Sequence, residues 1–333
     1  MPVFLNTLYA AVARRRRERY ARRPDLRGRL RRPVISVGNL AIGGRGKTPA
    51  VAEVVRVLLA ADERPAVLSR GYGRTEPDAG VVVVNAPDGM RADLARAGDE
   101  PLMLARQLPG VPILVASDRY LAGRLAEHHF EVTVHVLDDG FQHLQLDRDV
   151  DLVIVAPEDL DPSARTLPSG RLREAPDALA AADAILATDP AVQMPPDDPR
   201  PLFRLHRVPG ELQGADVDGI GRGLPVLALS GIANPSRFLS DLRAAGLHVV
   251  RSLKYRDHHP YGRNDLDRIL SAARGAGAGA VVTTEKDFVR LLPFRPFPLP
   301  VMYLPLTMEI QPAAEFRLWL DASLRAARDI TVD

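Results

Sequence analysis

Ala41-Ile42-Gly43-Gly44-Arg45-Gly46-Lys47-Thr48 follows the aliphatic run PVISVGN (33–39) and leads into a helical stretch from about Thr48 to Ala61. Strand, glycine-rich turn and helix in that order form a P-loop of the pattern A-x4-G-K-T, with Ala41 where the strict pattern has Gly. Backbone N–H groups along Ala41, Gly43, Gly44, Arg45 and Gly46 can wrap a triphosphate, and the helix N-terminus adds partial positive charge. Lys47 would reach the β- and γ-oxygens, and the Thr48 hydroxyl would bind Mg2+. Pro49 falls in the first helical turn, where its missing N–H is tolerated. The alternative is a plain glycine-rich turn. Against it stands the scarcity of lysine: of 44 basic residues only Lys47, Lys254 and Lys286 are not arginine.

A second element belongs beside such a loop. Val134-His135-Val136-Leu137-Asp138-Asp139 is an apolar strand ending in two carboxylates. Aspartates at a strand's end are often turn residues. Next to a P-loop, Asp138 and Asp139 are candidate metal ligands, reaching Mg2+ or its waters.

Outward from this centre, short Val/Ile/Leu-rich runs recur at 66–69, 81–84, 111–116, 132–138, 151–155 and 183–187, with helical stretches between several of them. Such uninterrupted runs mark strands buried on both faces. The expected fold is α/β, a P-loop NTPase-like, doubly wound, mostly parallel sheet. Residues 189–223 read as an irregular linker or short hairpin. A second series follows: strands at 224–232, 247–253, 280–285 and 301–306, and helices at 235–245, 264–275 and 312–328. At roughly 150 residues per domain, 333 residues suggest two. The expected division is an arm (1–32), a P-loop domain (33–200) and a second, smaller α/β lobe (201–333), with the ligand cleft at the strands' carboxyl ends.

Composition excludes several classes. Hydrophobic residues at 46% and charged residues at 26% are ordinary for a globular chain. Cysteine is absent, so no disulfide framework or thiolate metal site exists. No stretch approaches the ~18 apolar residues that span a bilayer. Charge is uneven: residues 1–32 hold eleven Arg against Glu18 and Asp25, while the whole chain carries +2. In VFLNTLYAAVARRRRER, residues Leu5, Leu8, Tyr9 and Val12 share one helical face ahead of Arg14–Arg17. Three readings stand: an amphipathic helix on an anionic membrane, a first helix packed on the body, or a nucleic-acid contact. The acidic remainder of the chain argues against a nucleic-acid binder.

The motifs VGNLAIGGRGKTP (37–49), SRGYGR (69–74), GDEPLML (98–104), SDR (117–119), LDDGFQH (137–143), SGRLRE (169–174), GIANPSRF (231–238), DHHPY (257–261) and TTEKD (283–287) together resemble the tetraacyldisaccharide 4′-kinases of lipid A synthesis. The resemblance implies transfer of the ATP γ-phosphate, with Mg2+, to the 4′-hydroxyl of a tetraacyldisaccharide 1-phosphate, giving lipid IVA. It also implies a place at the cytoplasmic face of a Gram-negative inner membrane; because this chain opens with a shorter apolar run than the family commonly has, followed by its arginine cluster, the expected attachment is peripheral. It makes Asp99 the candidate base, since a sugar hydroxyl needs a proton acceptor, and His258, rather than His259, its partner. An acidic residue favoured at a helix start is the alternative for Asp99. Arg70 and Arg74, flanking a Gly-Tyr-Gly turn, are candidates for holding the substrate's phosphate or closing over ATP; solvated loop arginines are the alternative. Arg119, Arg171 and Lys286 are similar candidates. Gln142 and His143 would bridge the metal aspartates and the substrate, although His143 equally suits a structural role. The rival P-loop readings are a GTPase and a small-metabolite ligase; against a GTPase, no lysine lies in an N/T-K-x-D motif.

Overall fold

The computed structural model describes residues 2–76, 80–214 and 223–330. Its first half runs α1 (Pro2–Arg22), β1 (Val34–Asn39), α2 (Lys47–Leu59), β2 (Pro65–Ser69), β3 (Val82–Ala86), β4 (Gly89–Met90), α3 (Leu94–Ala97), α4 (Asp99–Gln107), β5 (Ile113–Val115), α5 (Arg119–His129), β6 (Val134–Asp138), β7 (Val150–Val155), α6 (Pro157–Leu160) and β8 (Ala184–Ala187). The second half runs β9 (Leu202–Pro209), β10 (Gln213–Gly214), β11 (Pro225–Ser230), α7 (Pro235–Ala244), β12 (His248–Lys254), α8 (Arg263–Gly275), β13 (Ala280–Thr284), α9 (Glu285–Leu291), β14 (Val301–Leu304), β15 (Leu306–Gln311) and α10 (Ala313–Ile330).

Two sheets result. The larger has the order β15-β9-β8-β7-β1-β6-β2-β5-β3-β4, and the smaller β10-β14-β13-β11-β12. From β9 to β5 every pairing in the larger sheet is parallel. β1, β6 and β7 are buried along their whole length, the physical reason their sequences do not alternate. Val51, Val54 and Leu58 of α2, Leu104 of α4 and Phe316 and Leu320 of α10 fill the core on one side. Ala122 and Ala126 of α5 pack on the other. The expected doubly wound class and its smaller second sheet are what the chain forms.

The expected division at residue 200 needs correction. β9, inside the stretch read as a linker, joins the larger sheet beside β8. The apolar run 301–306 is not one strand: Pro305, which cannot continue a ladder, separates β14 in the smaller sheet from β15, which crosses back to pair antiparallel with β9. α10 follows it, and Phe316 stacks edge-on against Phe203 at 5.0 Å. The larger sheet thus holds β9, β15 and α10, and the smaller is built from residues 213–304. Residues 215–222 of the expected linker lie outside the described residues.

α1 extends through the arginine cluster to Arg22, beyond the apolar run read as its core. It is fastened to the body. Asn6 donates to Ser169 Oγ at 2.6 Å and accepts from Thr166 at its carbonyl. Arg17 forks onto Glu174 at 2.7 and 2.8 Å and covers the Phe141 ring at 4.2 Å. Arg14 pairs with Asp177 at 2.7 Å. Arg16 donates to the Gln142 carbonyl at 3.1 Å and to Gln145 Oε1 at 3.3 Å, so three of the four arginines expected to face lipid are spent on the body. The apolar face does stay open: Phe4, Leu5, Leu8, Tyr9 and Val12 are all exposed. No described helix is long and apolar enough to cross a membrane.

Candidate active site

Parallel strands place all their carboxyl ends at one edge, and here two sheets turn that edge toward one cavity of about 1240 Å³. The larger sheet contributes the P-loop after β1, Ser69 and Arg70 after β2, Ser117 and Arg119 after β5, and Asp138 and Asp139 at the end of β6. The smaller sheet contributes Ile232–Asn234 after β11, Asp257 and His258 after β12, and Thr284–Lys286 after β13. Tyr9, Val12 and Arg16 of α1 line the same cavity.

The P-loop is built as its glycines require. Gly46 caps α2 at φ 79°, and a Cβ there would lie 2.5 Å from Met308 Cε of β15; any side chain would meet both strain and a neighbour. Behind the loop, residues 171–173 form a supporting strip: Ile42 N–H donates to the Arg171 carbonyl and Arg173 N–H to the Leu40 carbonyl. Ala41 is buried in this strip, bridged to Leu172. It shapes the loop and does not line the cavity. Gly43, Gly44, Arg45, Gly46, Lys47 and Thr48 do line it. Arg45 is tied sideways to Asp159 at 2.6 Å and Glu158 at 3.2 Å. Lys47 reaches Asn39 Oδ1 at 3.3 Å and Asp139 at 3.8 Å.

Asp138 and Asp139 sit opposite Lys47. Ser69 Oγ donates to Asp138 at 3.3 Å. Burial, then the neighbouring Glu100 and Asp139 charges, push the Asp138 carboxyl up to about 7. Asp139 has φ 56°, a strained conformation outside glycine. Its Oδ2 takes Arg173 at 2.7 Å, while its buried Oδ1 accepts no hydrogen bond. An unfilled carboxylate oxygen, a buried carboxylate and the Thr48 residue lining the same cavity offer an all-oxygen donor set, which suits Mg2+.

The raised Asp138 carboxyl makes a stability prediction. The folded chain keeps a proton that the unfolded chain releases near pH 4. Asp138 therefore weakens the fold progressively as pH rises from about 4 to about 7, and fully above that. In metal-free buffer, Asp138→Asn should raise Tm at pH 8 by several degrees, at about 2–4 °C per kcal/mol, and leave it nearly unchanged at pH 4. Equal shifts at both pH values in a thermal melt would remove charge as the cause.

Behind His258, Asp99 opens α4. Gly98 before it has φ 84°, and a Cβ there would meet the Tyr72 carbonyl at 2.7 Å, so glycine lets the 70–74 loop close over this corner. Asp99 is buried and does not line the cavity. Its Oδ1 accepts from Glu100 N–H, and its Oδ2 takes Arg290 Nε at 2.7 Å and lies 3.0 Å from His258 Nδ1. Burial would push its carboxyl up, but the His258 contact and the Lys286 and Arg290 charges hold it well below the usual carboxylate range. His258, at φ 55°, lines the cavity. Its Nε2 lies 2.8 Å from Lys286 Nζ. An ammonium only donates, so Nε2 accepts and the ring proton sits on Nδ1, within 3.0 Å of Asp99 Oδ2 but not aligned on it as a hydrogen bond. His259 instead pairs with Asp265 at 3.0 Å, away from Asp99.

The remaining candidates divide. Arg70 and Arg119 line the cavity near His143. Arg119 is buried, its Nε has no hydrogen-bond partner, and burial followed by Arg70 lowers it to about 10. Burial, then Arg119, Arg148, Arg16 and Arg70, lower His143 to about 3, so it stays neutral with a free Nε2. Gln142 donates to the Asn39 carbonyl and accepts from Arg173, joining the P-loop strand to the aspartates. Arg171 donates to the Ile42 carbonyl at 3.2 Å, against the P-loop. Arg74 folds back onto Gly71 O and does not line the cavity. Asn39, Arg173 and Arg290 went unremarked in the sequence; the first two lie inside motifs quoted above, but nothing local marks Arg290.

These features have counterparts in known proteins. The family model described as Tetraacyldisaccharide-1-P 4'-kinase matches residues 3–325. A relative named Tetraacyldisaccharide 4'-kinase from Geobacter metallireducens is 41% identical, over 79% of this chain and 80% of its own length. Another of that name from Rhodopseudomonas palustris is 38% identical, over 98% of this chain and 92% of its own. The crystal structure of the "apo" form of LpxK from Aquifex aeolicus in complex with ATP superposes with a TM-score of 0.80 at 28% identity, covering 97% of this chain and 98% of that one. The chain belongs to the tetraacyldisaccharide-1-P 4'-kinase family.

Proposed function

We propose that the protein transfers the γ-phosphate of ATP to the 4′-hydroxyl of a tetraacyldisaccharide 1-phosphate in lipid A biosynthesis, working with Mg2+ at the cytoplasmic face of a Gram-negative inner membrane. The observation that carries this reading is one cavity lined by both the P-loop and His258, with the buried Asp99 behind His258, that α1 flanks with exposed apolar residues.

Lys47 and the loop N–H groups hold the β- and γ-phosphates. Thr48, Asp138 and Asp139 hold the metal, which when bound neutralises phosphate charge. The acceptor hydroxyl takes the place of Lys286 at His258 Nε2 and gives its proton to that nitrogen. Asp99, ionised and beside Nδ1–H, orients the ring and stabilises its charged form, as a buried carboxylate does behind a catalytic histidine. In this reading the roles expected from the sequence are exchanged: His258, which lines the cavity, takes the proton, and the buried Asp99 supports it from behind. Lys286 keeps Glu100 at 3.0 Å and Asp257 at 3.6 Å as partners. Arg70 and Arg119 form a basic corner for the acceptor's own phosphate. Phosphotransfer in mixed micelles tests the reading: label from γ-labelled ATP should reach the glycolipid and require it. ATP turnover that ignores the glycolipid would overturn it.

The acyl chains stay in the bilayer if α1 lays Phe4, Leu5, Leu8 and Val12 against it. Burying a Phe, Leu or Val side chain gains about 1.5–3 kcal/mol. Phe4→Ser/Leu8→Ser/Val12→Ser should lower liposome sedimentation at least tenfold and raise KM for membrane-presented acceptor, with ATP binding spared. Neutralising Arg14–Arg17 would be a poor test, because it also breaks the Glu174 and Asp177 pairs. Undiminished sedimentation of the serine variant would remove α1 from membrane binding.

A further inference from the structure

Arg290 lies on α9 one turn beyond Lys286, so both project from one helix face. It is buried, and its guanidinium is shared between the two lobes. Nε and Nη2 both donate to Asp99 Oδ2 on α4, in the larger lobe. Nη1 donates to Asp287 Oδ1 at 2.9 Å and to the Gly231 carbonyl at 3.1 Å, in the smaller. Asp287 is in turn fully engaged: its Oδ2 accepts from Gly231 N–H at 2.8 Å and Thr284 Oγ1 at 2.7 Å, and its Oδ1 from Tyr261 at 3.1 Å. From Gly231 the chain continues directly to Ala233, which packs beside Gly44 of the P-loop. One planar cation is thus wedged between two buried carboxylates and gripped from three sides.

We propose that Arg290 is the positioning residue of the proton-accepting pair: its fork holds the Asp99 carboxylate beside His258 Nδ1 and so turns His258 Nε2 into the cavity. This inference rests on the roles given above to Asp99 and His258. The charged groups facing Asp99 are Arg290 and Lys286 from α9 and His258 from the loop after β12, with Glu100 and Asp257 engaged by Lys286. Among these only Arg290 makes a two-nitrogen contact with Asp99. A lysine at 290 would keep the charge but lose the planar fork that joins Asp99 to Asp287 and Gly231.

The test is a double-mutant cycle on full-length protein with micellar acceptor. Arg290→Lys should lower kcat about 10- to 100-fold, the usual effect of losing a group that orients a reacting side chain, with KM for ATP within about twofold. In an Asp99→Asn background the same change should lower kcat by less than about threefold, because Arg290 acts through Asp99. If Arg290→Lys does not fold, Asp287→Asn loosens the same fork from behind, and its loss of kcat should likewise vanish in the Asp99→Asn background. Unchanged kcat in Arg290→Lys, or an equal loss in both backgrounds, overturns the proposal and leaves Arg290 as a brace between lobes. Undiminished kcat in Asp99→Asn alone overturns the reading of the pair itself, a separate outcome.

Discussion

Lys47→Ala should abolish detectable phosphoryl transfer while leaving a folded protein. Charge on the γ-phosphate has to be neutralised by groups already in place, and losing even one uncharged donor of that kind costs about 10²–10³ in kcat. Lys47 is a full charge, reaching over the loop from α2, and its neighbours cannot replace it. Arg45 is held away by Asp159 and Glu158. Arg171 is turned to the Ile42 carbonyl, and Arg173 is engaged by Asp139. The loss should fall on both kcat and ATP affinity. Removing Lys47 also leaves Asp139 facing Asp138 with less counter-charge, so Lys47→Met should repel the triphosphate as strongly as Lys47→Ala. Near wild-type transfer by either variant, with unchanged circular dichroism, would place the nucleotide elsewhere.

His258→Ala should lower kcat by about 10²–10⁴, the contribution of a positioned proton acceptor, with ATP affinity little changed. Asp99→Asn should act on the same step, because an amide in place of the carboxylate no longer specifies the Nδ1–H form of the ring. The two losses should not add. A variant without His258 has nothing for Asp99 to orient, so Asp99→Asn/His258→Ala should resemble His258→Ala alone. Strictly multiplicative losses in steady-state kinetics would mean that the two residues serve different steps. An Asp99→Asn loss that persists in full after His258 is removed would instead return the base to Asp99.

What could be read from the sequence follows from how far each interaction reaches along the chain. The P-loop and the Asp138–Asp139 strand end are local patterns, and each is set by one strand and the turn after it. The parallel sheet was legible because strands buried on both faces lose their alternation. The basic corner was partly legible: Arg70 directly follows β2 and Arg119 opens α5 after β5, whereas nothing local tells Arg74, which folds back on its own turn, from Arg70. Asp99 and His258 are different, since neither stands out in its own segment. Their pairing was available only through resemblance, and their order in the cavity came only with coordinates. Arg290 meets Asp99 across 191 positions of chain, and no periodicity in α9 marks it. The division of the chain failed for a related reason. Pro305 looks like a flaw within one strand, and only the partner strands reveal that it separates two.

That crossing at Pro305 bears on how the polypeptide is made. β15 and α10 complete the larger sheet, yet the ribosome produces them only after all of the smaller one. At about 5–20 residues per second, the P-loop half waits several seconds with the Phe203 side of its core uncovered. The smaller lobe, emerging in one piece between β9 and β15, can fold during that interval and deliver β15 to its place. Nascent chains stalled before residue 306 should therefore be the ones that chaperones hold, even though every phosphate-binding residue has already left the ribosome.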